Sequence, residues 1–284
     1  MSPGMTREAA AGLARAMAQG AGPVTPAWRA MVEACRRAGA LEEAWLLLRR
    51  LAEAEQLSDQ DRPARALLAI ARRAPPPAAR PTEPAPCPFV RERSFLPGPV
   101  LDRLRGATLA RLEQFHSSEV SNADYRSVDA SRRRSRVLLR DVEGLRRMLM
   151  PHVRRFVDAQ GVPAILGLRE PLSGRHEVQA THHGDGDFFK PHVDSGDVPG
   201  RGRAITFVFY YDLIEGSFSG GDLLLYDVDA RNPTNISAGY TRLPPENNSI
   251  VFFPSHGAHE VEPVATRSSA PAAGRFTLTG WLHW

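Results

Sequence analysis

The feature that most restricts what this chain can fold into is a change of sequence period at His176. From there to Trp284, apolar and polar residues alternate in short runs bounded by Gly, Pro, Asn, Asp and Ser. Alternation puts successive side chains on opposite faces of an extended backbone, so each run predicts a half-buried β-strand. The runs are His176–His182, Phe188–Asp194, Ala204–Leu213, Asp222–Asp227, Ser249–Ser255, His259–Val264 and Arg275–His283. Before His176 the period is mostly helical. Helices followed by many short strands predict a sheet sandwich or barrel with helical support, and argue against a doubly wound parallel sheet.

The helical part divides in two. Residues 5–73 are rich in Ala, Leu, Arg and Glu, with Trp28, Met31, Val32 and Cys35 on one stripe. Gly39-Ala40 breaks that stripe and a second begins at Leu41. The spacing of Trp28, Gly39, Ala44 and Leu48 fits a single tetratricopeptide unit, but one unit is a weak signal, and a short helical bundle packed on the main domain is the favoured reading. Ala74–Pro88 is too Pro-rich to continue a helix or a central strand, and predicts a semi-rigid linker. The expected organisation is therefore a helical region over 1–73, a linker over 74–88 and one larger domain over 89–284. That domain should open with a strand at Phe89–Arg93 and a helix burying Leu101, Leu104, Leu109, Leu112 and Phe115. A polar loop over Ser117–Ser135 and a helix over Val137–Ala159, kinked or broken at Pro151, should follow.

Composition removes several classes. The 284 residues contain no apolar run long enough to span a bilayer, and Met1–Ala10 lacks the basic and apolar regions of a secretory signal. Cys35 and Cys87 are too few for a disulfide framework, so a cytoplasmic protein is expected. The net charge of +4 does not by itself predict a nucleic-acid partner. Lys190 is the only lysine among 36 basic residues, a skew more in keeping with genome composition than with a phosphate-binding face. The densest run, Arg132-Arg133-Arg134-Ser135-Arg136, reads either as a solvated charge run or as a grip on an acidic substrate or peptide. No nucleic acid and no membrane are expected as partners.

Chemistry concentrates in three places. His192-x-Asp194 puts an imidazole and a carboxylate on one face of an extended segment, two of the three ligands of a 2-His-1-carboxylate metal site. The run His259-Glu260-Val261-Glu262-Pro263-Val264 offers His259 as the third, from a separate strand. His256 is its rival, but Pro254-Ser255-His256-Gly257 reads as a turn, and a turn aims a side chain less rigidly. On the last run Arg275, Thr277, Thr279 and Trp281 share one face, and Arg275 with Thr277 offers a guanidinium fork and a hydroxyl to one carboxylate. His182 reads as structural, since adjacent strand residues His182 and His183 point to opposite faces.

Taken together, these motifs make Pro88–Trp284 similar to the Fe(II)/2-oxoglutarate-dependent dioxygenases of the prolyl 4-hydroxylase-like branch. The resemblance rests on His192-x-Asp194, on His259 followed by Pro263-Val264, and on Arg275 six residues before Trp281. Gly220-Gly221 and Asn248-Ser249-Ile250-Val251-Phe252-Phe253 add to it. It implies a double-stranded β-helix, or jelly roll, preceded here by a small all-α region. It also implies His192, Asp194 and His259 as ligands of Fe(II), and Arg275, with Thr277 and His183, as the 2-oxoglutarate contacts. The co-substrates would be 2-oxoglutarate and O2, with ascorbate as an optional reductant. Retention of Asp194, rather than a small residue that admits chloride, implies hydroxylation. His183 stands where the family usually has a co-substrate tyrosine, and Thr266–Ala273 resembles an insertion. The expected substrate is an amino-acid residue, prolyl among the candidates, of a peptide or protein. The alternatives are a free amino acid or small molecule, and an inactive binding protein.

Overall fold

The computed structural model describes residues 5–20, 26–54, 62–74, 84–118, 120–121, 126–127, 129–138, 141–195, 202–228, 236 and 238–284. These form two compact units. One comprises Met1–Pro88 with Leu224–Leu243; the other comprises Phe89–Leu223 with Pro244–Trp284. Most of the expected linker lies outside the described residues. Residues 224–243, which sequence alone places inside the larger domain, cluster with the N-terminal helices instead.

In the N-terminal unit four helices, α1 (Arg7–Gln19), α2 (Pro26–Ala38), α3 (Leu41–Glu53) and α4 (Arg62–Ala71), pack in sequence. Thr6 caps α1 by accepting the Ala9 N–H, and Ala10, Ala11, Ala14 and Ala18 give α1 a thin buried face that lets its neighbours approach closely. Trp28, Met31, Val32 and Cys35 are buried as one stripe of α2. Gly39, with φ of 74°, makes the turn into α3. Strands β11 (Leu223–Tyr226) and β12 (Tyr240–Leu243) pair with each other. The contact that joins helices to strands here is ionic. Arg36, only 2% exposed, donates to both carboxylate oxygens of Asp227, one at 3.0 Å, while Glu33 and Thr241 take its remaining donors. A guanidinium is tolerated at that depth because every face of it is paired. Both cysteines are free and buried, and burial pushes the Cys35 thiol up to about 11 and the Cys87 thiol up to about 12.

The larger unit is built on a seven-stranded antiparallel sheet. Its strands are β1 (Val90–Arg93), β2 (Phe115–Ser117), β6 (Arg136–Leu138), β7 (His176–His183), β9 (Arg203–Tyr211), β13 (Ser249–Pro254) and β16 (Arg275–His283). Their order is β1-β13-β9-β16-β7-β6-β2. Register decides what each face does. Leu278 lies opposite Ala180 and Phe209, and Phe252 opposite Phe207, so one face is apolar. Helices α5 (Gly98–Leu109), α6 (Val142–Gln160) and α7 (Val162–Ile165) bury Leu101, Leu104, Leu145, Leu149 and Val153 in the same cluster as that face. Thr277 lies opposite Thr181 and Tyr210, and Thr206 opposite Trp281 and Phe253, so the other face is largely polar yet buried. Against it stand β5 (Arg133–Arg134), β8 (Phe188–His192) and β14 (His259–Val261), with a two-stranded pair of β10 (Phe218–Gly220) and β15 (Val264–Thr266). Two antiparallel sheets with the polar residues turned inward and the helices outside form the expected jelly roll. No helix among the described residues is long and apolar enough to cross a membrane.

Several local expectations differ. The polar stretch Ser117–Ser135 is not simply a loop, because it contributes β3 (Val120–Ser121), β4 (Arg126–Ser127) and β5. Two-residue strands are too short to show alternation, and β5 is fixed by a partner, β8, more than fifty residues away. The next helix begins at Val142, since Val137 and Leu138 are drawn into β6 between β2 and β7. It then continues through Pro151. The run His259–Val264 splits into β14 and β15, with the Glu262 N–H turned to the carbonyl of Asp222.

Candidate metal and co-substrate site

His192 ends β8, and His259 opens β14 directly opposite it. This cross-strand pairing brings the imidazole centroids to 4.1 Å. Asp194 lies two residues past the end of β8, so it is not placed by strand geometry alone. The N–H groups of Asp194 and Ser195 both donate to the carbonyl of Ser255 at 2.9 Å, which turns the carboxylate toward the two histidines. His192 Nε2 is 3.8 Å from Asp194 Oδ1, and His259 Nε2 is 3.5 Å from Asp194 Oδ2. The three ligand atoms lie within 4.8 Å of one another. His256 is exposed and stands outside the cluster.

The outer contacts fix which atoms are free. His192 Nδ1 donates to Lys190 O at 2.8 Å, and His259 Nδ1 donates to Gly257 O at 3.0 Å. Each ring therefore turns Nε2 toward Asp194, the arrangement in which imidazole binds a metal. Burial, helped by the nearby His259, holds the His192 imidazole far below its usual pKa and keeps it neutral. Burial alone would raise Asp194. The neighbouring His259 and His192, with the indole of Trp281 and the hydroxyl of Thr206, outweigh it and keep Asp194 a carboxylate. Thr206 Oγ1 donates to Asp194 Oδ2 at 2.9 Å and shares a 3.0 Å hydrogen bond with Ser255 Oγ. Two imidazoles and one carboxylate, His259 buried and the other two partly so, converge with their ligand atoms and suit a divalent transition metal. If they bind one, Thr206→Val removes an outer contact while preserving volume. Fe(II) affinity is then expected to fall by about tenfold to a hundredfold, measured by competition with a chelator.

The polar face of the large sheet holds a second cluster. Arg275 is 2% exposed and donates from Nη1 to His183 Nδ1 at 3.3 Å. Its guanidinium carbon lies 5.0 Å from the centre of the Tyr210 ring. Gly221, with φ of 67°, makes room for it, since a Cβ there would come within 2.8 Å of Arg275 Cδ. Because Nδ1 of His183 accepts, its proton sits on Nε2. Burial first and the Arg275 charge second keep that ring neutral. Arg275 Nε, His183 Nε2 and Tyr210 Oη are all buried without a hydrogen-bond partner. No carboxylate forms an ion pair with Arg275 among the described residues. Three orphaned polar atoms around a buried guanidinium cost several kcal/mol unless an anion satisfies them, so the cluster fits one carboxylate of 2-oxoglutarate. Thr277, 1% exposed, shares the face of Arg275. His182 faces the other way, donating to Ala273 O at 2.9 Å and stacking on Phe276.

Sequence reasoning missed Thr206, Ser255 and Tyr210. All lie on inward-facing positions of β9 or at the end of β13, and alternation from Thr206 through Val208 to Tyr210 was the available signal. Arg203 pairs with Glu177 at 2.7 Å and lies over the Trp281 ring.

Residues 178–283 match the model of the 2OG-Fe(II) oxygenase superfamily, and so carry the sequence signature of that class. A PKHD-type hydroxylase of Synechocystis, itself uncharacterized, is 40% identical over 108 residues, covering 38% of this chain and 36% of the relative. The chain thus spans little more than a third of that relative's length. Among solved structures, a Pseudomonas putida prolyl-4-hydroxylase aligns at 19% identity and a TM-score of 0.47, over 69% of this chain and 92% of its own. A Trichoplax adhaerens prolyl hydroxylase, in complex with a hypoxia inducible factor peptide fragment, aligns at 18% identity and a TM-score of 0.49, over 79% and 91%.

Proposed function

We propose that the chain is an Fe(II)- and 2-oxoglutarate-dependent hydroxylase acting on an amino-acid residue, prolyl among the candidates, of a peptide or protein. The observation that carries this reading is the convergence of His192, Asp194 and His259 on one point inside a jelly roll whose polar face also buries Arg275. His192 Nε2, His259 Nε2 and Asp194 would hold the metal. Arg275 would bind the distal carboxylate of 2-oxoglutarate, with His183 Nε2–H and Tyr210 Oη–H as further donors and Thr277 beside them. When bound, iron and 2-oxoglutarate supply the oxidation: O2 is consumed, 2-oxoglutarate leaves as succinate and carbon dioxide, and a C–H bond becomes C–OH.

The chain's own part is positioning and exclusion of water. Lys190 O and Gly257 O fix the imidazole tautomers, and Thr206 and Ser255 aim the carboxylate. Burial of Arg275, with no ion-paired carboxylate among the described residues, makes its attraction for an anion stronger than in water. Ascorbate would serve as a reductant in the assay, and a cytoplasmic setting suits two free, buried cysteines.

The matching test is succinate formation by iron-loaded protein. Proline-containing peptides are compared with free amino acids, each with product detection by mass spectrometry. Stimulation by peptides with a gain of one oxygen supports this reading. Stimulation by free amino acids alone would move the assignment to a small-molecule hydroxylase. No conversion of 2-oxoglutarate under any condition would remove the enzyme reading.

A further inference from the structure

The run Arg132-Arg133-Arg134 has no role in the metal or co-substrate clusters, yet its three side chains differ sharply. Arg134 approaches Asp187 at 3.6 Å, on the surface, and Arg132 is exposed. Arg133 is partly buried. It sits on β5 opposite Phe189 of β8, and its guanidinium carbon lies 4.8 Å from the Phe189 ring centre. The same ring reaches the metal site, because Phe189 stacks on His192 with centroids 3.5 Å apart. Guanidinium, phenyl ring and metal-site imidazole are thus in successive contact. Arg133 Nε donates to Ser135 Oγ at 2.9 Å, which in turn contacts Ser118 Oγ, so the stem is held in one orientation. Its two terminal nitrogens have no partner, and no carboxylate lies within ion-pair distance, among the described residues.

A half-buried cation normally has a counter-charge. Asp194 is near enough to act on Arg133 through space, but its oxygens are already turned to His192, His259 and Thr206. Among the described residues the fork therefore lacks its anion. A planar fork with two free nitrogens matches a carboxylate in geometry as well as charge. Resting on the hydroxylase reading above, we propose that Arg133 binds a carboxylate of the primary substrate beside the metal site, so that the hydroxylated group lies next to a chain terminus or an acidic side chain. The distal carboxylate of 2-oxoglutarate is not the partner, because Arg275 and its orphaned neighbours already supply that place from β16, on the opposite sheet.

The test uses full-length protein loaded with Zn(II), which binds the same ligand set without turnover, and with 2-oxoglutarate. Calorimetric titrations compare the N-acetyl amino acids with their C-terminal amides. Amides of Asp and Glu keep a side-chain carboxylate, and so separate an acidic side chain from a chain terminus. At least one carboxylate-bearing probe should bind about tenfold or more tightly than its neutral amide counterpart, as a charge-assisted fork requires. That preference should vanish in Arg133→Gln and return only in part in Arg133→Lys, which keeps the charge without the fork, with 2-oxoglutarate affinity unchanged in both. Absence of carboxylate binding by the unmodified protein, or a preference that survives Arg133→Gln, overturns the proposal. So does a tenfold loss of 2-oxoglutarate affinity in Arg133→Gln, which would assign the fork to the co-substrate. If 2-oxoglutarate fails to bind the unmodified protein, the hydroxylase reading itself has failed and this proposal falls with it.

Discussion

Protein carrying His192→Ala or His259→Ala is expected to lose more than about a hundredfold in Fe(II) affinity, beyond what removal of an outer contact costs, and to show no 2-oxoglutarate turnover. The reason is geometric. Asp194 and two Nε2 atoms converge on one point, so each histidine supplies one of only three protein ligands. Neither loss can be made good by His256, which is exposed and outside the cluster. The fold should survive, because both rings lie on the polar interior and not in the apolar cluster under the helices. Metal content after gel filtration, with circular dichroism as the folding control, decides the matter. His256→Ala should retain its iron. An empty site in His256→Ala with a full one in His259→Ala would reverse the assignment of the distal ligand.

Arg275→Ala should act on a different quantity. Removing one partner of a buried ion pair costs about 3–5 kcal/mol, so the dissociation constant for 2-oxoglutarate should rise by about a hundredfold or more. Iron retention should be unchanged, because no metal-site atom contacts Arg275. Arg275→Lys should recover only part of the affinity, since an ammonium cannot reproduce the fork. A 2-oxoglutarate titration that is unaltered in Arg275→Ala would remove Arg275 from the co-substrate site.

How much of this could be read in advance depended on whether the information was local. The alternation from His176 onward foretold four of the seven strands of the large sheet, β7, β9, β13 and β16, which are long enough to show a period, whereas β2 and β6 fall where helices were expected. The His192-x-Asp194 spacing and the position of His259 pointed to the residues that now lie together. What holds them was not legible. Ser255 and Thr206 orient Asp194 only because β13 and β9 are neighbours in the sheet, a pairing that no local pattern encodes. Tyr210 reaches Arg275 for the same reason. The excursion of residues 224–243 was hidden too. Its contacts include a buried ion pair, Arg36 with Asp227, between residues 191 positions apart, and the Arg242 side chain on the carbonyl of Arg37. A chain cut at Pro88 would leave Asp227 buried without its cation, so truncation is a poor way to ask what the N-terminal helices do.

The most direct test of the central claim is anaerobic titration of the unmodified protein with Fe(II) and 2-oxoglutarate, followed by admission of O2 and measurement of succinate. The account predicts one Fe(II) per chain, 2-oxoglutarate binding that needs both Fe(II) and Arg275, and slow succinate formation that stops without O2 or with His259→Ala. Binding of 2-oxoglutarate that is indifferent to Fe(II), or no succinate once O2 and a substrate panel are supplied, would contradict it.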